Sequence, residues 1–404
     1  MKDTFMLRSL MKFNNLSAWP EAAVPSIAQV NDYIPWLCQV PCDYLLRDDP
    51  EGMAECSLLV QEYLGFDLMN ANLDVYNFEA EAMGAPISFY RDHMPDLNRR
   101  EYLIKSPDDL DKIKWKGLDC GRFPYILRYA RAYEKYVGVP ALLAFCAPWT
   151  LAANLYGLDN LIMDTIEEPE FVKEFLNRIV EDFHVPMFEE LQRELNSFKM
   201  LLFADAFASP PMVNNSILSE FIKPSLELEV KASRIEGVSY MDAGIWGVTG
   251  VVESDREEFM DLTVEIGGNS LTVYDPDVSA LGPEYYRSYA DKIQRPLMLG
   301  LSTAFLANAS PNEVAERVKH YVLAGKNGST PFTFFFNNIA PGTPDKNVAA
   351  AMEAVRVYGA PGADEHAEMH IPEKESFAEF IKRKQTDNKE EYGFRWLESA
   401  SLFL

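Results

Sequence analysis

Seven short apolar runs, each separated from the next by enough chain for one or more helices, constrain the fold of this sequence more than any other feature. They are FDLMNA (66–71), VPALLAF (139–145), KMLLFAD (199–205), GVSYMDA (237–243), NSLTVYD (269–275), RPLMLGL (295–301) and PFTFFF (331–336). Each run is continuous rather than alternating, as in parallel strands buried on both faces. An alternation repeated this often predicts an α/β fold, a (β/α)8 TIM barrel, with the eighth unit expected in an irregular stretch. A doubly wound nucleotide-binding sheet is disfavoured, because no glycine-rich phosphate loop follows any run. The pattern divides the 404 residues into an N-terminal extension over 1–60, the barrel over 61–362 and a charged, partly helical tail over 363–404. No linker is long enough to separate a second domain.

One helix announces its own start. Ser310-Pro311-Asn312-Glu313 joins an N-cap serine, a proline at the first helical position and a capping-box glutamate. Val314, Val318, Tyr321 and Val322 then share a face, and His320 falls off it, which makes it a surface residue. Thr343-Pro344-Asp345-Lys346 reads as a similar start, with Gly359 and Pro361 ending that helix.

Sixty-two acidic against 37 basic residues give a formal charge of −25, which repels nucleic-acid phosphates and anionic membrane surfaces. The acidity is spread along helix faces rather than gathered in a tail, as on a solvated surface. No apolar run reaches the roughly 18 residues that span a bilayer. Five cysteines, an odd count, all precede residue 147, and Met1-Lys2-Asp3 does not open a signal peptide. The expectation is a reducing cytoplasm. Cys38 and Cys42 have a metal-like spacing, but no second Cys or His pair follows nearby.

In a barrel of this kind the working residues lie at the C-terminal ends of the strands and in the loops after them. Asp205 closes an apolar strand and reads either as a carboxylate in the barrel mouth or as a loop anchor. Tyr240 and Asp242 alternate on one strand, so they are either a phenol–carboxylate pair for proton work or a structural hydrogen-bonded pair. Asn72 and Asp74 follow the first run, with an Asx turn as the alternative for Asp74. Trp149, Phe207, Trp246 and Phe336 bring aromatic rings to the same rim, where several together suit a flat apolar substrate.

Several segments resemble the uroporphyrinogen decarboxylase superfamily. NLDVYNFEAEAMGAPISF is similar to its signature of an aspartate followed by an A-E-A-x-G-like turn, and FCAPWTLAANLYG to its G-A-P-F-T-L-A segment. FADAFAS resembles its F-D-S-W-A-G element, and FFNNIAPGTPDKNVAAAMEAVRVYG its last strand, loop and helix. The resemblance runs in order over residues 30 to 360. It implies a barrel that is either a decarboxylase or a methyltransferase moving methyl groups to or from the cobalt of corrinoid proteins.

Departures from the pattern narrow that choice. The region matching the arginine-bearing segment of the decarboxylases, IPWLCQVPCDYLL, has no arginine before Arg47, so a polyanionic tetrapyrrole lacks its guanidinium partners. Asn337 stands where the decarboxylases place a histidine. The thiol-specific methyltransferases use zinc on H-x-C and a late cysteine, whereas here the strand reads YMDAG and no cysteine follows Cys146. Zinc stays open only as a hard-ligand site. The expectation is therefore the methyltransferase component of a corrinoid-dependent O-demethylase, taking a methyl group from an aryl methyl ether. Asp205, Tyr240, Asp242 and Asn337 would assist the leaving oxygen, and Asn338 would help bind substrate. Cobalamin would arrive on a separate corrinoid protein, and a homodimer is a further partner expectation. The alternatives are a decarboxylase of a small acid and a non-catalytic binding protein on the same barrel.

Overall fold

The computed structural model describes Lys12 and residues 15–399, apart from 13–14, 71–72, 75, 139–140, 142, 196–199, 233–238, 243–245, 267–269 and 392. At residues 70, 200–202, 239–242, 266, 387–391 and 399 the backbone alone is described. Eight parallel strands form the barrel: β1 Ser26–Gln29, β2 Leu68–Asn70, β3 Leu143–Cys146, β4 Met200–Ala204, β5 Ser239–Asp242, β6 Leu271–Tyr274, β7 Leu297–Leu301 and β8 Phe332–Phe336.

Seven of these strands fall on the seven apolar runs. The eighth, β1, lies inside the segment expected to be an extension, and it pairs with both β8 (Ile27 with Phe335) and β2 (Ile27 with Leu68). The first barrel strand therefore starts at Ser26, upstream of residue 61. Four residues reading SIAQ are too short and too polar to register as a buried run, although Ser26, Ile27 and Ala28 are all buried.

Ladder pairing divides the strands into an arc of five, in the order β2-β1-β8-β7-β6, and an arc of three, β3-β4-β5. Side chains stitch the arcs together at the C-terminal rim. Glu79 Oε1 accepts from the Cys146 amide at the end of β3 (2.6 Å). Asp277, just after β6, accepts from the amides of Gly247 (2.8 Å), Val248 (3.0 Å) and Thr249 (3.0 Å) beyond β5.

The helices obey the local rules of the sequence. Pro311–Lys326 carries the full capping box on Ser310, and Val314, Val318, Tyr321 and Val322 are buried on its inner face. His320 is exposed and pairs with Glu284 at 2.8 Å. The following helix starts at Asp345, but Thr343 does not cap it: its hydroxyl donates back to the Ala340 carbonyl (2.8 Å). The tail folds into helices Phe377–Glu391 and Arg395–Ser399. Its Trp396 amide donates to buried Glu55 (2.7 Å) on the helix Pro50–Leu64, so the tail is packed on the body of the barrel. Among the described residues no helix is long and apolar enough to cross a membrane.

Candidate functional site

Strand alternation decides what faces the barrel lumen. Ile27, Met298, Tyr274 and Phe335 form a buried cluster of their own, separate from the main core between sheet and helices, with Leu68 and Trp246 packed against it. Trp246 stands edge-on to Tyr274 (5.4 Å between centroids), and Tyr274 meets Phe335 at 5.2 Å. Gly300 on β7 makes room for them, because a Cβ there would collide with the Tyr274 ring. Trp246, one of the aromatic residues expected at the rim, packs against this cluster. Phe336 was expected too, but it points the other way, packing on Phe66 (5.0 Å) and Phe334 (5.1 Å) in the outer core. The ring in the lumen is Phe335, one residue earlier.

Two residues beyond Ile27 and Phe335 on their strands come the amide residues Gln29 and Asn337. Gln29 on β1 is the register partner of Asn70 on β2, and Asn337 follows one step beyond the Ala28–Phe336 pair. The Ile339 amide donates to the Gln29 carbonyl (3.1 Å), which fixes the loop after β8 beside the end of β1. Thr303 Oγ1 reaches the carbonyls of both Asn337 and Asn338, the latter at 2.6 Å. Asn338 itself has φ of 52°, a left-handed conformation that asparagine tolerates better than most residues. Gln29 is a rim residue that the sequence did not reveal, since only the position of β1 gives it meaning.

Across the mouth, the ends of β3 and β4 are joined by Asp205. Its Oδ1 accepts from the Thr150 amide (3.1 Å) and hydroxyl (2.6 Å), and Thr150 Oγ1 in turn accepts from the Phe207 amide (3.0 Å). Asp205 thus anchors the first turn of the helix Pro148–Tyr156 and the loop carrying Phe207. Trp149 is fully buried, with its indole N–H donating to the Phe207 carbonyl (3.2 Å), so it supports the rim rather than lining it. Tyr76 lies within electrostatic reach of Asp205 and Cys146. Burial first, and then those neighbours, push its phenol upward, which keeps it a donor. It followed Asp74 in the sequence without a distinguishing signal.

Asp74 is not open to the mouth. Both its oxygens are engaged, by Asn77 and by Arg122, and it is 3% exposed. Burial raises it to about 7 in spite of the Arg122 guanidinium. Arg122 also donates to Glu81 (2.6 Å) and lies over Phe78 (4.5 Å) and Phe89 (4.7 Å). Behind β3 and β4, His184 meets Glu229 at 2.6 Å, both wholly buried, and this is a histidine of the core rather than of the rim. Asn72 lies outside the described residues, as do the side chains of Tyr240 and Asp242, although the β5 backbone places those two positions in register with Leu201 and Phe203.

The donor set does not suit a soft zinc site. The three positions matched to its ligands hold Tyr240, Asp242 and Asn337, with neither thiol nor imidazole, and all five cysteines precede residue 147.

The uroporphyrinogen decarboxylase (URO-D) family profile matches residues 45–358. The chain belongs to the uroporphyrinogen decarboxylase family. Among curated proteins, the methylated-thiol–coenzyme M methyltransferase of Methanosarcina mazei is 26% identical over 182 residues, 44% of this chain and 47% of that protein. The match thus spans about half the length of that relative. Among solved structures, a methyltransferase from Methanosarcina mazei superposes with a TM-score of 0.67 at 17% identity, covering 87% of this chain and 98% of that one. That likeness establishes the family barrel over nearly the whole neighbour. The family expectation drawn from the motifs is confirmed, and the similarity of the curated relative lies on its methyltransferase side.

Proposed function

We propose that this chain is the donor-binding methyltransferase of a corrinoid-dependent O-demethylase, acting on an aryl methyl ether. The observation that carries the reading is the lumen itself: Trp246, Tyr274 and Phe335 form an aromatic wall, with Gln29 and Asn337 two residues above the wall on their strands. A flat ring suits that wall, and neutral amides suit a neutral ether oxygen. The similarity to a methyltransferase supports transfer of a methyl group, and the missing thiolate ligands argue against a thiol as its source.

The acceptor is the cobalt of a corrinoid carried by a partner protein, which supplies the attacking electron pair. What this chain must do is hold the methyl carbon toward the open mouth and stabilise the oxygen that keeps the bonding electrons. A phenolate leaves poorly unless it is protonated or strongly hydrogen bonded as the bond breaks. Tyr240 and Asp242 are the proposed proton source, and Asn337 and Asn338 the proposed hydrogen-bond donors. Asp205 is proposed to act by positioning, since its Oδ1 is engaged with Thr150. Asn72 and Phe207 stay in the proposal as binding residues at the mouth.

The test mixes the protein with a reduced corrinoid protein and, separately, methoxyaromatics and methyl thiols. Methylcobalamin appearing with methoxyaromatics is the expected result. Its appearance with methyl thiols alone would overturn the reading.

A further inference from the structure

Among the described residues, Arg99 is a rim cation whose partners leave it available. Arg122 is committed to Asp74 and Glu81, and Arg317 lies over the Phe305 ring (3.4 Å) and 3.8 Å from Asp275. Arg99 differs from both. It follows the short hairpin of Ile87–Ser88 and Asp96–Leu97, and its guanidinium lies over the Phe207 ring at 5.7 Å. One nitrogen is 3.4 Å from Asn154 Oδ1 and another 3.3 Å from Asp96, both long for charge-assisted bonds. The Arg99 and Asp96 side chains are 45% and 53% exposed, so their pairing is worth little.

Its surroundings connect it to the site. Asn154 is 3% exposed, and its amide nitrogen donates to the Tyr76 carbonyl (3.1 Å) and lies 3.9 Å from Cys146 Sγ at the end of β3. Phe207 is held by Thr150, the residue anchored on Asp205. Arg99 therefore stands over the ends of β3 and β4, across the ring of strands from Phe335 on β8 and Met298 on β7.

We infer that Arg99 selects an aromatic acid: the substrate carries a carboxylate that Arg99 receives at the mouth while its ring rests on the aromatic wall opposite. A planar guanidinium matches a carboxylate in a two-point fork, and a substrate that fills the mouth removes the water that now screens the charge. The need is sharpened by the formal charge of −25, which disfavours an anionic ligand unless a local cation meets it. This inference rests on the aryl ether reading above and refines its substrate class.

The experiment is direct binding to the full chain, followed by tryptophan fluorescence, of two probes that differ only in the carboxylate: 4-hydroxy-3-methoxybenzoate and 2-methoxyphenol. The wild-type protein is expected to bind the acid about tenfold or more tightly, with a preference that shrinks in high salt. Arg99→Gln should abolish the preference while leaving affinity for 2-methoxyphenol unchanged, and Arg99→Lys should restore part of it. Equal affinity for both probes in the wild type, a preference surviving in Arg99→Gln, or no binding of either probe would each overturn the inference. Because binding is read without methyl transfer, equal affinities with intact demethylation sink only the role of Arg99. Carboxylate-selective binding without transfer sinks the demethylase reading instead.

Discussion

Asp205 and Thr150 are joined twice, through the threonine amide (3.1 Å) and the threonine hydroxyl (2.6 Å), and both bonds end on the same carboxylate oxygen. This pair closes β3 against β4 at the rim and sets the loop that carries Phe207. Asp205→Asn is expected to lower the rate of methyl transfer about 10- to 100-fold. Thr150→Val should lower it by a smaller factor. A positioning role makes the two effects non-additive, with a coupling of about 1–3 kcal/mol in a double-mutant cycle. Additive losses would place Asp205 directly on the substrate.

Tyr240→Phe separates proton donation from binding. If the phenol assists the leaving oxygen, the maximal rate falls about 100-fold with little change in KM. An unchanged rate with an increased KM would make Tyr240 a binding residue only.

Phe335 and Phe336 are neighbours in sequence with opposite duties, one in the lumen and one packed on Phe66. Phe335→Leu should weaken substrate affinity about 10-fold, while Phe336→Leu should leave affinity alone and lower unfolding stability by roughly 1–2 kcal/mol. Substrate titration and urea unfolding of both variants distinguish the two effects.

Glu79 gives a stability signature that depends on pH. It is fully buried, and burial pushes it up to about 7, against the pull of His184 and of the Cys146 amide. In the unfolded chain a glutamate titrates near 4.3. Between those values the folded protein holds a proton that the unfolded chain has released, so stability falls as pH rises and the loss is complete above about 7. Glu79→Gln keeps an acceptor for the Cys146 amide but cannot ionise. Relative to wild type it should gain about 3 kcal/mol between pH 4 and pH 8. A constant difference across that range, measured by urea unfolding, would contradict the assignment.

Much of the fold was legible because parallel strands buried on both faces write themselves as apolar runs, and seven of eight did so. The strand β1 escaped because its four residues include Ser26 and Gln29. Gln29 was lost with it, since a rim residue can be recognised only once its strand is known. Asp205 illustrates a different limit. Its place at a strand end was readable, but whether its carboxylate meets substrate or a neighbouring loop depends on Thr150, 55 residues away in the chain. The side chain of Phe336 was assigned to the wrong face because PFTFFF, uniformly apolar, carries no alternation to set the register.

The central claim is that the methyl group comes intact from an aryl ether. It is tested most directly by incubating the protein and a reduced corrinoid protein with a methoxyphenol whose methyl group carries three deuteriums, then analysing the products by mass spectrometry. The account predicts methylcobalamin bearing all three deuteriums and an equal amount of the demethylated phenol. Unlabelled methylcobalamin, or unchanged ether with an active corrinoid partner, would contradict it.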